Sequence, residues 1–406
     1  MTFLSQGALD GVTVCDLTQF ESGPSCTMTL AWLGANVIKV EPPAGDQSRA
    51  ASSDEPGVDS HYFMLLNANK QSITCNLKHE KGRELLRKLI EKSDIFIENF
   101  GPGVIERLGF SYEEVSKINP RIVYAQIKGF APDGPYANYL SFDMIAQATG
   151  GAMSINGERD GRPLRSGVTV GDTGAGLHCV IGILAALYQR ESTGRGQRVE
   201  VVMQEVVTNF ARIAFASNAM FGEPAVRNGN ASVIGSTAPS EAYPCKGGGP
   251  SDYCFIYSTR AGSRHWERLL EFIGRSDLAT DPRFSTPRAR YQNRDAIDEV
   301  ISEWTRQHDK RSVMKMLGEA GIPAGAVFDT AEIAADPDMQ RRGVIVTVDH
   351  KKRGAFTMPG WPVQMSDSHV PVTASPLLGE HTDAVCETFL GYAPDELHEL
   401  HEQKAI

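Results

Sequence analysis

The 406-residue chain has no apolar run approaching the ~20 residues that cross a bilayer, so no membrane-spanning helix is expected. It has no basic patch or arm, and its formal net charge is -10. That balance excludes the electrostatic footprint of a nucleic-acid partner. Met1-Thr2-Phe3-Leu4-Ser5-Gln6 carries no basic stretch followed by an apolar core, so no secretory signal is expected. The seven cysteines are scattered, odd in number and without a C-x-x-C pair. This pattern points to reduced thiols in a cytoplasmic protein rather than to disulfides or zinc. The first βαβ stretch lacks G-x-G-x-x-G, which argues against a nicotinamide dinucleotide. Internal repeats and low-complexity segments are missing too. His398 and His401 stand three residues apart in a charged tail helix, a solvated face rather than a metal site.

What is present is ordinary globular composition, 41% hydrophobic and 22% charged. A chain of this length is too long for one core, so two domains are expected. Strand and helix signals alternate through the first half. Apolar strand runs fall at 12–17, 37–41, 72–77, 95–97 and 121–127, with helical patterns at 27–33, 80–92 and 104–108. Short connections between them predict an α/β protein built on a parallel sheet. The turns at 18–23, 99–103 and 129–133 would then lie at the carboxyl ends of strands, where such sheets bind ligands. Another strand is expected at 199–202 and a helix at 204–218. Residues 228–249, rich in Gly, Ser, Asn and Pro, read as a linker or mobile loop. A strand at 252–258 and helices at 265–273, 294–307 and 312–320 make a second, smaller unit, left through 321–327. Residues 344–348 and 355–358 flank a hairpin turn. The expected division is 1–225 for the large domain, 226–330 for the small one with its linkers, and 331–406 for a return to the large one.

One stretch carries chemistry. Val170-Gly171-Asp172-Thr173-Gly174-Ala175-Gly176 opens onto a strongly apolar helical run. The glycines allow a tight turn and close approach of another molecule, and the helix start offers free N–H groups. Asp172 is then either a helix N-cap or a carboxylate nucleophile beside donors that stabilise developing charge.

The chain resembles the family III (CaiB/BaiF-type) coenzyme A transferases, formyl-CoA transferases in particular, over nearly its whole length. The marks are Ser22-Gly23-Pro24-Ser25-Cys26-Thr27, Leu30-Ala31-Trp32-Leu33-Gly34-Ala35, Asn69-Lys70, Glu98-Asn99-Phe100, Ile118-Asn119-Pro120-Arg121, Gly171-Asp172, Thr193-Gly194-Arg195-Gly196-Gln197 and Pro376-Leu377-Leu378-Gly379-Glu380-His381-Thr382. Each is short, but their order and spacing are specific. The resemblance implies a Rossmann-like large domain, a smaller α/β domain and an interlocked homodimer threaded through 228–249 and 321–327. It implies that Asp172 carries coenzyme A between an acyl-CoA and a small carboxylic acid through an aspartyl-CoA thioester. The glycines and helix-start amides would hold the oxyanions. No permanently bound cofactor or metal is expected; the coenzyme A thioester is a substrate. Matched coenzyme A contacts are Cys75, Lys78, Asn99, Phe100, Arg107 and Leu108, with Lys78 and Arg107 as phosphate partners. Tyr62 matches an active-site tyrosine.

Departures bear on the substrate. Formyl-CoA transferases resemble this chain but carry glutamine at Glu21, tyrosine at Phe142 and lysine at Leu140, and Gly247-Gly248-Gly249-Pro250 does not reproduce their tetraglycine-glutamine loop. A glutamate at position 21 cannot donate a hydrogen bond when ionised and would repel oxalate, so a larger acceptor acid is expected. α-Methylacyl-CoA racemases share the scaffold but place a histidine where Phe142 stands, and phenylalanine carries no proton. A non-catalytic coenzyme A-binding protein is the third reading, which Asp172 among its glycines opposes.

Overall fold

Six parallel strands form one sheet: β1 (Thr13–Asp16), β2 (Asn36–Glu41), β3 (Gln71–Thr74), β4 (Ile95–Glu98), β5 (Val123–Lys128) and β6 (Arg198–Val202). Their spatial order is β3-β2-β1-β4-β5-β6, so the direction of winding reverses between β1 and β4. The computed structural model describes residues 7–233, 238–258 and 264–406. β1 and β4 are buried at every residue, as fits short apolar runs covered on both faces.

Helices alternate with these strands: α1 (Ser22–Trp32), α2 (His61–Leu66), α3 (Glu80–Lys92), α4 (Val104–Arg107), α5 (Tyr112–Ile118), α6 (Asp143–Thr149), α7 (Ala152–Ile155), α8 (Asp172–Thr193) and α9 (Met203–Phe210). The expected α3 pattern is realised. Leu85, Leu86, Leu89 and Ile90 are fully buried and pack with Ile38, Phe96 and Tyr124 of the sheet. Each such burial is worth roughly 1.5–3 kcal/mol. Leu397 and Leu400 of the final helix, Pro394–Glu402, close the same cluster. The helix expected at 27–33 starts earlier, at Ser22. Pro24 falls within its first turn, where a missing N–H costs no helical bond.

α8 lies against α1 through small residues. A Cβ on Gly176 would stand 2.7 Å from the Ser22 carbonyl oxygen and 3.0 Å from the Cys26 nitrogen. The two helix backbones therefore approach as closely as glycine permits.

The chain divides into two compact units. The larger comprises Met1–Gly150, Ser166–Asn209 and Pro337–Ile406; the smaller comprises Gly151–Arg165 and Phe210–Asp336. The crossings expected at 225–226 and 330–331 thus occur at 209–210 and 336–337. The expected helix at 204–218 is broken into α9, a 3-10 turn and α10 (Phe215–Phe221), and the unit boundary falls at that break.

The smaller unit holds an antiparallel sheet of β7 (Ser240–Pro244), β8 (Tyr253–Tyr257) and β9 (Ala324–Ala326). Against it lie α11 (His265–Phe272), α12 (Pro287–Gln292), α13 (Arg294–Thr305) and α14 (Lys310–Glu319), around Trp266, Leu269, Phe284, Ile301 and Leu317. β7 and β9 correct the linker reading of 228–249 and 321–327; residues 234–237 of the first lie outside the described residues. Ala-Gly-Ala and Ser-Glu-Ala-Tyr-Pro have no strand periodicity of their own. They become strands because β8 offers hydrogen bonds along both edges. Gly247-Gly248-Gly249 forms the turn between β7 and β8, where the Gly249 N–H donates to Asp252 at 2.8 Å.

The expected hairpin is β10 (Ile345–His350) paired with β11 (Gly354–Pro359), back in the larger unit. In the tail, His401 Nε2 lies 2.8 Å from Asp383 and His398 Nε2 3.3 Å from Glu402, pairs on a helix surface.

Candidate active site

The loops leaving β1 and β4 part at the winding reversal and line a cavity of about 510 Å³. Its wall includes Phe20, Glu21, Tyr62, Asn99, Phe100 and Asp172. The loop after β1 is anchored from both sides. Asn99 accepts the Gln19 N–H at 2.8 Å and donates to the Gln19 carbonyl at 2.8 Å and to Ser22 Oγ at 3.2 Å. The buried Lys39 ammonium donates to the Thr18 carbonyl at 2.7 Å and to Asp46 at 2.9 Å. Asp16, fully buried at the end of β1, accepts from Thr27 Oγ1 at 2.7 Å and pairs with Lys70 at 3.2 Å. So anchored, the loop holds Phe20 at φ 61°, a left-handed conformation that a bulky side chain rarely adopts.

Glu21 follows, buried at the mouth of α1. Its Oε2 accepts from the Tyr62 hydroxyl at 3.1 Å and its Oε1 from the Thr173 hydroxyl at 3.0 Å. Thr173 is the neighbour of Asp172, so one carboxylate is tied directly to the start of α8.

Asp172 is the first residue of α8, and Gly171 holds the cap position with no side-chain cap bond. The N-cap reading of Asp172 is thereby corrected: its carboxyl belongs to the cavity wall. Asp143 performs the capping instead. Its Oδ1 accepts the Gly171 N–H at 2.8 Å and the Asp172 N–H at a long 3.4 Å, while Gln147 Nε2 donates to Oδ2 at 2.8 Å. The Thr173 N–H donates to the Thr169 carbonyl at 2.9 Å. Of the amides expected to hold oxyanions, those of Gly171 and Asp172 thus face a carboxylate of the chain itself and that of Thr173 a backbone carbonyl.

Burial raises the Asp172 carboxyl from 3.8 to about 7, with the charges of Glu21 and Asp143 adding to the shift. Tyr62 is pushed well above the ordinary phenol range by burial, then by Glu21 and Asp172. A carboxyl poised near neutrality, walled by aromatic rings and placed at a sheet's switch point, suits attack on a carbonyl carbon.

Comparison with known proteins bears on the chemistry. The family described as CoA-transferase family III matches residues 9–382. The chain belongs to that family. A formyl-CoA:oxalate CoA-transferase of Streptomyces coelicolor is 46% identical over 412 residues, covering 98% of this chain and 99% of the relative. One from Bradyrhizobium sp. (strain ORS 278) is 42% identical over 417 residues, covering 98% and 97%. Among solved structures, a CAIB/BAIF family protein from Brucella suis aligns with TM-score 0.83 at 33% identity, covering 95% of this chain and 100% of that one. Rv3272 from Mycobacterium tuberculosis aligns with TM-score 0.77 at 26% identity, covering 93% and 99%.

In this family III chain, the cavity brings together Asp172, Glu21, Tyr62, Phe142, Asn99 and Phe100 of the residues singled out from sequence. Cys75, Lys78, Arg107 and Leu108 do not line it. The Cys75 thiol is enclosed in the core, where it donates to the Gly82 carbonyl at 3.2 Å, so its side chain offers a ligand no surface. Leu108 packs on the core from outside. Lys78 and Arg107 are exposed. Arg107 leans over Gly103, a cavity residue at φ 70°, where a Cβ would come 2.8 Å from its Nη1. Sequence reasoning missed Asp143, Thr173 and Phe20. Asp143 stands at a helix start, which was a usable signal, but its partners lie 28 and 29 residues away.

Proposed function

We propose that the protein transfers coenzyme A between an acyl-CoA thioester and a free carboxylic acid, with Asp172 as the covalent carrier. The observation that carries this reading is the Asp172 carboxyl: it serves no capping role, lies in the cavity wall and sits near neutral pKa. The activity named for the formyl-CoA:oxalate CoA-transferases supports the same chemistry.

The steps balance without an added reactant. An Asp172 oxygen attacks the thioester carbonyl; the C–S bond breaks and coenzyme A leaves as thiolate, with a mixed anhydride on Asp172. The thiolate attacks the aspartyl carbonyl, releasing the donor's carboxylate and leaving an aspartyl-CoA thioester. The acceptor carboxylate attacks that carbonyl, re-forming an anhydride and the thiolate. Attack of the thiolate on the acceptor's carbonyl then releases the new acyl-CoA and the free carboxylate of Asp172. Coenzyme A enters as substrate. Asn99 and Phe100 line the same cavity as Asp172, which supports their assignment as coenzyme A contacts, and the exposed Arg107 and Lys78 would meet its phosphates.

The working form is proposed to be an interlocked homodimer. α8 supports this: Leu177, Ile181 and Tyr188 are exposed along one face, and no Asp, Glu, Lys or Arg occurs between Asp172 and Arg190. Such an apolar stripe asks for cover. The compartment is proposed to be the cytoplasm, consistent with seven free, buried thiols. No helix among the described residues is long and apolar enough to cross a membrane.

The test is mass spectrometry after incubation with a panel of acyl-CoAs. A peptide containing Asp172 is expected to gain coenzyme A or an acyl group. Asp172→Ala should lose activity by several orders of magnitude, as expected for a covalent nucleophile, roughly 10⁴-fold or more. Near-normal turnover in that variant would sink the mechanism.

A further inference from the structure

On the coenzyme A transfer reading, an acid must bring its carboxylate to the aspartyl carbonyl at Asp172. The rest of the acid then rests on the walls beside that residue, and the walls differ in character.

One wall is anionic. Glu21 is buried, and each of its oxygens accepts one hydroxyl hydrogen bond, from Tyr62 and from Thr173. A carboxylate has about four acceptor sites, so these bonds orient it without neutralising it. Among the described residues no ion pair reaches Glu21 or Asp172. Two basic residues line the cavity, Lys128 and Arg198, and neither pairs with these carboxylates; the Lys128 Nζ lies 2.8 Å from Glu98 and 2.9 Å from the Phe100 carbonyl.

The other wall is apolar. The Phe20 and Phe142 rings meet edge to face at 6.4 Å, and Phe142 is 56% exposed. Leu140 and Tyr139 continue the wall, also exposed. The Phe20 ring reaches this position only through the left-handed backbone already described, a conformation that anchoring by Asn99 and Lys39 sustains.

We propose that the acids exchanged here are apolar monocarboxylates whose hydrocarbon or aromatic body packs on Phe20 and Phe142, and that Glu21 sorts against acids bearing a second carboxylate beside the reacting one. Oxalate is the limiting case. Its carboxylates are directly bonded, so seating one at Asp172 brings the other within a few ångströms of Glu21 or strips its hydration against phenyl rings. Both are unfavourable in a partly buried site. A benzoate, phenylacetate or isovalerate brings a single charge and gains the burial of its body.

The experiment measures kcat/KM for oxalate, acetate, isovalerate, benzoate and phenylacetate with one accepted acyl-CoA donor, in the unaltered protein and in Glu21→Gln and Phe142→Ala. Apolar acids should exceed oxalate by about 100-fold in the unaltered protein, the scale of one like charge at close range. Glu21→Gln should raise oxalate relative to isovalerate by about 10- to 100-fold. Phe142→Ala should raise KM for benzoate about 10-fold, the loss of one ring contact, and affect acetate less. Preference of the unaltered protein for oxalate overturns the proposal and leaves coenzyme A transfer intact. So does an unchanged oxalate-to-isovalerate ratio in a folded Glu21→Gln variant. Absence of transfer from any donor to any acid overturns the coenzyme A transfer reading itself.

Discussion

Two carboxylates and a phenol meet at the start of α8, and their protonation governs when Asp172 can act. Attack requires the ionised carboxylate. With its pKa raised to about 7 by burial, then by Glu21 and Asp143, Asp172 is protonated below that pH and ionised above it. The transfer rate should therefore rise with pH through about 7 and level off beyond it. Removing the Glu21 charge lowers the Asp172 pKa, so in Glu21→Gln the acid limb should move to lower pH. A pH profile of kcat in both proteins measures this, and coincident limbs would contradict the coupling. The same shift has a stability consequence. A carboxyl that binds its proton more tightly when folded favours the native state at low pH and loses that contribution as pH rises through about 7. The function-bearing carboxyl thus opposes folding where it is active, an arrangement common at reactive sites.

Elements matter here for how closely they approach. α1 presents Glu21 at its start and α8 presents Asp172 at its own, so their packing fixes the distance between the carboxylates. Gly176 makes that contact possible, with Ser22, Ser25 and Cys26 within 3.0 Å of the Cβ it lacks. Gly176→Val should push the helices apart. The expected result is a loss of about 1–3 kcal/mol of stability from overpacking, read as a lowered Tm, with turnover falling further than stability alone explains. Gly318→Ala, in α14 with nothing within 4 Å of an added Cβ, is the control: it should leave stability unchanged or raise it by up to about 1 kcal/mol. A Gly176→Val variant as stable and active as the parent would show that the approach of α1 to α8 does not set the site.

At the scale of the whole molecule the prediction concerns assembly. The exposed stripe of Leu177, Ile181 and Tyr188 on α8 is the surface that a second copy would cover. Since β7 and β9 lie within the expected linkers, the threading of an interlocked dimer is to be sought where the chain passes between its units, at 150–151, 165–166, 209–210 and 336–337. An interlocked dimer cannot part without extensive local unfolding. Light scattering on progressive dilution should show a dimer until the protein unfolds, with no folded monomer between. A stable, active monomer at low concentration would refute that assembly.

Local chemistry made several features legible in the sequence. α3 could be read because Leu85, Leu86, Leu89 and Ile90 recur at the helical period, and the β10–β11 hairpin because alternating residues flank a charged turn. Asp172 stands out as an acid between glycines at a helix start, and the resemblance to family III transferases implies a nucleophile at that position. The α/β class followed from the alternation of strands and helices. Other features came only with the tertiary structure. β7 and β9 have no periodic signal and exist because β8 supplies their ladders. Asp143 replaces Asp172 as the cap of α8 through bonds that join residues 28 and 29 positions apart. Glu21 becomes a buried, uncompensated charge only when Thr173, 152 positions away, and Tyr62 close on it. Periodicity and turn chemistry are properties of contiguous residues, so one strand of sequence contains them. The charge around a carboxyl, its burial and its hydrogen-bond partners depend on which distant segments the sheet order brings to the β1–β4 reversal, and those decide what Asp172 can do and which acids it can meet.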